Sequence, residues 1–134
     1  MTTYALDSNI ISYIIRENGD VITRYHEETG LGNELIIPPV VYYEVQRWLL
    51  AKSLYSKKRA FDNFCQNVEV GNFDFAVWNK ASEIYADLCK QGKLADDADI
   101  FIAAFCLVNG YTLVTNNVRH FENISGLNIV NWKN

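Results

Sequence analysis

The sequence predicts an α/β fold of three layers, with helices on both faces of a central, mainly parallel sheet of four to five strands. Three observations predict it. Short β-prone apolar runs recur at residues 3–6, 35–37, 68–70, 112–114 and 128–132. Between the first four, the apolar residues take helical spacing. Strands separated by helices cannot pair as tight hairpins, so they pair in parallel and are covered on both faces. At 134 residues, residues 1–134 are expected to form a single domain around one core. No repeat, linker or low-complexity segment interrupts them.

The first strand ends at Asp7-Ser8-Asn9, and Ile10, Ile11, Tyr13, Ile14 and Ile15 start a helix at once. Asp7 thus falls at the carboxyl end of a strand, the edge where open α/β sheets bind ligands. A plain helix cap is the competing role for Asp7 or Ser8. Asn18-Gly19 breaks that helix, and residues 21–29 read as a second, polar one closed by Gly30 and Gly32. The strand 35–37 stops at Pro38-Pro39, and proline suits the first turn of a helix. Val40, Val41, Tyr43, Val45, Trp48 and Leu49 then form an apolar helical pattern with Glu44 set into it. Burying a lone carboxylate is costly unless it is paired or holds a metal. Glu44 is therefore a functional candidate, with a pair to Arg47 three residues on as the alternative. A helix over 56–67 carries Ala60, Phe61, Phe64 and Cys65. Residues 73–90 form a long amphipathic helix with Phe75, Val77, Trp78, Ala81, Ile84, Tyr85 and Leu88 toward the core, stopped by Gly92.

The stretch 92–117 organises the rest. An acidic knot, Asp96, Asp97 and Asp99, opens the apolar run 100–108, in which Ala103-Ala104 permits close packing. Asn109-Gly110 turns the chain into the strand 112–114, which ends in Thr115-Asn116-Asn117. Asp96 as N-cap, with Asp99 as its capping-box partner, accounts for one carboxylate but not three. Phe121, Ile124 and Leu127 are expected beneath the last loop.

Composition excludes several classes. The chain is 49% hydrophobic and 21% charged, ordinary for a globular protein. No apolar run approaches the roughly 20 residues that span a bilayer, and the N-terminus lacks the basic and apolar regions of a signal peptide. Three cysteines (Cys65, Cys89, Cys106) without a C-x-x-C pair point to reduced thiols in a cytoplasmic protein, with Cys89 and Cys106 in the core. No glycine-rich phosphate loop occurs, so a nucleotide-cofactor enzyme is not expected. The net charge of −4 gives no support to nucleic-acid binding. Residues 47–59 are the exception: Arg47, Lys52, Lys57, Lys58 and Arg59 stand there with no acid among them. A solvated helix face is the plain reading of that segment.

Asp7, Glu44 and Asp99 each fall at a strand end or in the helix that follows one. A parallel sheet would bring them to one edge. Carboxylates without cysteine or a histidine pair suit hard cations, Mg²⁺ or Mn²⁺. The implied reaction is metal-assisted phosphodiester hydrolysis. Close carboxylates repel, so such a site needs a metal or a shared proton. Thr115 or Ser8 would orient a carboxylate or a water from behind.

Four blocks of the chain together resemble the PIN domain, most closely the VapC ribonuclease toxins of bacterial toxin–antitoxin pairs. They are Leu6-Asp7-Ser8-Asn9-Ile10-Ile11; the helix from Pro39 to Glu44; Gly92 with Asp99 seven residues on and Ile102-Ala103-Ala104; and Leu113-Val114-Thr115-Asn116-Asn117 with Phe121. The resemblance implies that Asp7, Glu44 and Asp99 are catalytic metal ligands and that Asn117 holds the polar position after the last catalytic strand. The family often has a fourth acid before that Phe; here the residue is His120. Three acids then suffice, or Asp96 or Asp97 helps, or His120 touches substrate instead. The resemblance further implies a single-stranded or looped RNA substrate, with tRNA expected and an initiator-tRNA anticodon region as one candidate. It also implies a homodimer and a VapB-like antitoxin whose tail fills the groove between residues 10–29 and 40–54. Residues 47–59 then become a phosphate-contacting surface, and nearby Tyr42, Tyr43, Trp48 and Tyr55 are base-stacking, core or interface residues. Two alternatives stand: a non-catalytic PIN-like module that binds DNA with a partner, and a phosphohydrolase of another fold.

Overall fold

The computed structural model describes all residues from Met1 to Asn134. The chain runs β1 (Thr3–Leu6), α1 (Ser8–Ile15), α2 (Gly19–Gly30), β2 (Glu34–Ile37), α3 (Pro39–Ala51), α4 (Tyr55–Asn67), β3 (Glu69–Val70), α5 (Phe75–Lys90), α6 (Asp97–Asn109), β4 (Thr112–Val114), a short 3₁₀ turn (Val118–His120) and β5 (Ile129–Val130). The five strands make one sheet in the order β3-β2-β1-β4-β5, and every pairing is parallel. The predicted fold class is the one observed. Element ends move by a few residues: Phe73 lies outside α5, which starts after the N-cap Asp74, whose side chain accepts from the Val77 N–H.

The strand order dictates where a site can form. The connections β1→β2→β3 step one way across the sheet, and β3→β4 returns to the other side of β1. Right-handed crossovers therefore put α1 to α4 on one face and α5 and α6 on the other. The packing agrees: α1 lies against α2, α3 and α4, and α5 runs along α6. The order reverses between β1 and β4. At such a reversal the following helices diverge and leave a crevice at the carboxyl ends of the strands. Asp7 follows β1 there, and Thr115 follows β4.

The core contains Phe61, Phe105 and Phe121 beside Ile10, Ile11, Ile37 and Leu113, all effectively sealed from solvent. Helix α6 is buried nearly all round, through Ile100 and residues 102–106, as its apolar run requires. Gly110 ends it with φ of 71°, a left-handed cap that glycine adopts without strain. Helix α5 is narrower in its apolar face than its sequence predicts. Val77, Ala81, Ile84 and Leu88 are buried, whereas Phe75 and Tyr85 are exposed and Trp78 half so. One stripe at i, i+4, i+7 spacing suffices to seat the helix on α6, and the other aromatics fall outside it. Cys89 shares that outer side and is exposed; Cys106 is buried as expected.

Gly71 closes β3 by donating to the Ile37 carbonyl at 2.9 Å. A Cβ there would lie 2.9 Å from Phe105 Cε1 and 3.3 Å from Ile36 Cδ1. Phe105 cannot yield, because Phe73 and Tyr111 pack on its ring. Gly71→Ala is therefore expected to cost about 1–3 kcal/mol through overpacking. Urea denaturation should show a lower midpoint at unchanged m-value; an unchanged midpoint would contradict this packing.

Candidate active site

The site is built on Asp7. The Asp7 N–H donates to the Val114 carbonyl at 3.0 Å, carrying the β1–β4 ladder one residue past the strands. Its side chain is 4% exposed and is fixed at both oxygens. The Ser8 backbone N–H donates to Oδ1 at 2.8 Å. The Thr115 hydroxyl donates to Oδ2 at 2.7 Å, and the Asn9 amide reaches the same oxygen at 3.1 Å. Thr115, itself fully buried, also accepts from the Asn117 N–H at 3.0 Å. A carboxylate with this many donors keeps one orientation, toward the crevice. Asp7 does hold the N-cap position of α1, but its carboxylate accepts from Ser8, one residue on, and its other bonds cross to β4. Cap and site residue are the same side chain.

The sequence reading assigned orientation to Thr115 or Ser8. Thr115 performs it with its hydroxyl, and Ser8 with its backbone. It gave Asn9 no role, yet Asn9 ties the two strand ends together. Its amide contacts Asp7, and its carbonyl oxygen accepts from the Asn116 N–H at 2.9 Å. The only signal was an amide two residues after the Asp; its partner lies 107 residues away.

Glu44 on α3 and Asp99 on α6 face Asp7 across the crevice. Burial, reinforced by the charges of Asp7 and Asp99, raises the Glu44 carboxyl above its ordinary pKa, and Arg47 offsets part of this. Burial also raises Asp99, with Asp7 and Asp96 adding to the rise and His120 opposing it. Each of these carboxylates thus senses Asp7. The His120 imidazole Nδ1 stands 3.2 Å from Asp99 Oδ2, so His120 is on the site, paired to one of its acids. Asp96 caps α6 without a side-chain bond and faces Asp99. Asp97 instead acts on Tyr85 of α5, away from the crevice. Glu44 and Arg47 make no ion pair; Arg47 lies over the Tyr43 ring at 5.0 Å.

The three acids supply only hard oxygen donors, the set that suits Mg²⁺ or Mn²⁺. No three acidic, histidine or cysteine side chains are drawn tightly enough together to enclose an ion as they stand. A hydrated cation takes only one or two carboxylates directly, so the fit to a divalent ion rests on the chemistry of these donors and not on their present spacing.

The basic segment divides. Arg47 and Lys57 line a groove next to Glu44, with Arg16, which sequence reasoning did not select. Lys58 is bound to Asp62 at 2.6 Å, while Lys52 and Arg59 are exposed outside the groove. Tyr43, Trp48 and Tyr55 are not core residues but are 58%, 46% and 70% exposed. Tyr42 alone packs inward, on Phe61.

Comparison with known proteins places these features in context. The model of the PIN domain matches residues 4–127. Ribonuclease VapC2 of Haemophilus influenzae is 30% identical over 98% of this chain and 99% of its own length. The tRNA(fMet)-specific endonuclease VapC of Shigella flexneri is 27% identical, over 98% of this chain and 99% of its own. Among solved structures, a chain of the VapBC2 complex of Rickettsia felis, bound to a DNA fragment from its promoter, superimposes with a TM-score of 0.89. That match has 26% identity and covers 98% of this chain and 100% of the other.

The raised pKa of Glu44 carries a stability consequence. Its ionised form is disfavoured in the fold, so the stability it permits is complete below the unfolded carboxyl value, about 4.3. That stability is lost as pH rises through the higher folded value. In metal-free buffer, Glu44→Gln should melt above wild type at pH 7, and the two should converge near pH 4. A variant that melts lower at pH 7 would contradict the crowding of these acids.

Proposed function

This chain belongs to the PIN-domain family, and we propose that it is a metal-dependent endoribonuclease toxin, restrained by a VapB-like antitoxin. The observation that carries the proposal is the convergence of Asp7, Glu44 and Asp99, from three separate helix starts and faces, on the crevice between β1 and β4. Their mutual repulsion is relieved by a cation and wasteful without one. Asp7 and Asp99, with Glu44, would hold Mg²⁺ or Mn²⁺, which when bound supplies Lewis-acid charge and a water of lowered pKa.

The chain's own residues perform the remaining work. Thr115 and the Ser8 N–H hold Asp7 in one rotamer, so the site is organised before substrate arrives. His120 steadies Asp99 and offers its second ring nitrogen outward. The Asn117 N–H is engaged by Thr115, which leaves its exposed side-chain amide for substrate. Glu44 stands where the site meets the groove, so a scissile phosphate led along the groove arrives at the acids. The substrate is RNA, with tRNA proposed on the likeness to the Shigella enzyme, and an initiator-tRNA anticodon loop as the first target to examine. The protein acts in the cytoplasm, as a single domain that dimerises and pairs with its antitoxin.

A second reading is favoured by one observation, the relative's complex on promoter DNA: a PIN-like module that serves a partner in DNA binding and autoregulation. The two readings separate in one assay. Purified chain, freed of partner, is incubated with total bacterial RNA in Mg²⁺ and in EDTA. Discrete fragments are expected only with Mg²⁺, and Asp7→Asn and Asp99→Asn should each slow their appearance by about 100-fold or more, the loss of several kcal/mol of transition-state stabilisation. Intact RNA in every lane, from folded protein, would leave the DNA-binding role as the function.

A further inference from the structure

The groove beside the acids carries a charge that the whole chain lacks. It is a cavity of about 380 Å³ between α1, α3 and the start of α4, lined by Arg16, Arg47, Lys57 and Trp48 with Glu44 at one end. Three cations against one acid make it locally positive in a chain of net charge −4. None of the three cations is in an ion pair; the pairs present are Arg24–Glu28, Lys58–Asp62, Lys80–Glu83, His120–Asp99 and Lys133–Asp20. Each rests on an aromatic face instead: Arg16 on Tyr13 at 5.1 Å, Arg47 on Tyr43 at 5.0 Å and Lys57 on Trp48 at 5.9 Å. Such contacts hold a cation in place without cancelling its charge. Trp48 also keeps 46% of its surface in solvent, although a tryptophan gains by burial.

Uncancelled cations around a half-open indole match two chemistries at once, an anion and a flat aromatic ring. A nucleotide carries both. The same groove is the one expected to take the antitoxin tail, so strand and tail would compete for it. We infer that this groove is a nucleotide subsite in which Trp48 stacks an unpaired base while Arg16, Arg47 and Lys57 take the flanking phosphates. The strand then leaves past Glu44 toward Asp7 and Asp99. The inference rests on the ribonuclease reading and deepens it by naming where a single strand lies.

The test uses a fluorescein-labelled uridine octamer bound to the Asp99→Asn chain, followed by anisotropy. Trp48→Ala should weaken binding about tenfold, the loss of one base stack. Trp48→Phe should restore most of it, which separates stacking from misfolding. Arg16→Gln with Lys57→Gln should flatten the slope of log Kd against log salt by roughly 1.4, about 0.7 for each phosphate contact on a single strand. In the active chain, Trp48→Ala should raise KM for RNA cleavage and leave kcat unchanged, as lost uniform binding does. Equal octamer binding by Trp48→Ala and its parent, at equal salt slope, would overturn the subsite. So would Trp48-dependent binding of a glutamate-rich octapeptide in preference to the octamer, which would assign the groove to a protein tail. If the active chain cuts RNA and Trp48→Ala alters neither Kd nor KM, the subsite falls and the ribonuclease stands. If no RNA is cut yet the octamer binds through Trp48, the subsite stands and the ribonuclease falls.

Discussion

Three half-buried or buried carboxylates that repel one another are the constraint on which this molecule depends. Asp7 caps α1 while Glu44 and Asp99 stand on α3 and α6, and burial, with acidic charge nearby adding to it, disfavours the ionised forms of Glu44 and Asp99. A fold retains such a cluster only when something else holds it. Here the holding is done at Asp7, whose two oxygens accept from the Ser8 N–H, the Thr115 hydroxyl and the Asn9 amide. Glu44 and Asp99 are raised above their ordinary values by burial first, with neighbouring acidic charge adding to it.

The sheet makes the cluster possible. Because β1 pairs with β2 on one side and β4 on the other, the helices after β1 and β4 diverge. Residues more than a hundred positions apart, such as Asn9 and Asn116, meet across the gap. The core behind them is tightly filled, with Phe121 and Leu113 sealed directly beneath the loop that carries Thr115 and Asn117. The tightly filled part of the molecule thus ends at this edge, and the groove of cations and exposed aromatics lies beside Glu44.

Much of this was legible in the sequence, for identifiable reasons. An Asp straight after an apolar β run and straight before a helix is a cap or a carboxylate at the ligand edge; the sequence left both open, and Asp7 is an N-cap whose carboxylate also bonds across to β4. Asp99 stood out because a capping box explains one acid of its cluster and not three, and the fold sets it beside His120 within reach of the charges of Asp7 and Asp96. Strand order was not readable, since apolar runs specify strands but not neighbours. Asn9 escaped for the same reason: its partners exist only after β1 and β4 pair. Phe75 and Tyr85 were expected on the core side of α5 and are exposed, because helical spacing records apolarity and not burial, and large apolar residues are common on surfaces. The basic segment was half legible; sequence could group its cations but could not see that Asp62 neutralises Lys58, or that Arg16 joins them from another helix.

The most direct test of the account is calorimetric titration of the purified, partner-free chain with Mn²⁺ at pH 7, repeated with Asp7→Asn and at pH 5. One binding event is expected, weakened at least about tenfold in the variant, since this carboxylate anchors the set. It should weaken again at pH 5, because Glu44 and Asp99, with raised pKa values, then compete by binding protons. Absence of binding to the folded wild type, or equal affinity in Asp7→Asn, would contradict the claim that these three acids exist to hold a cation.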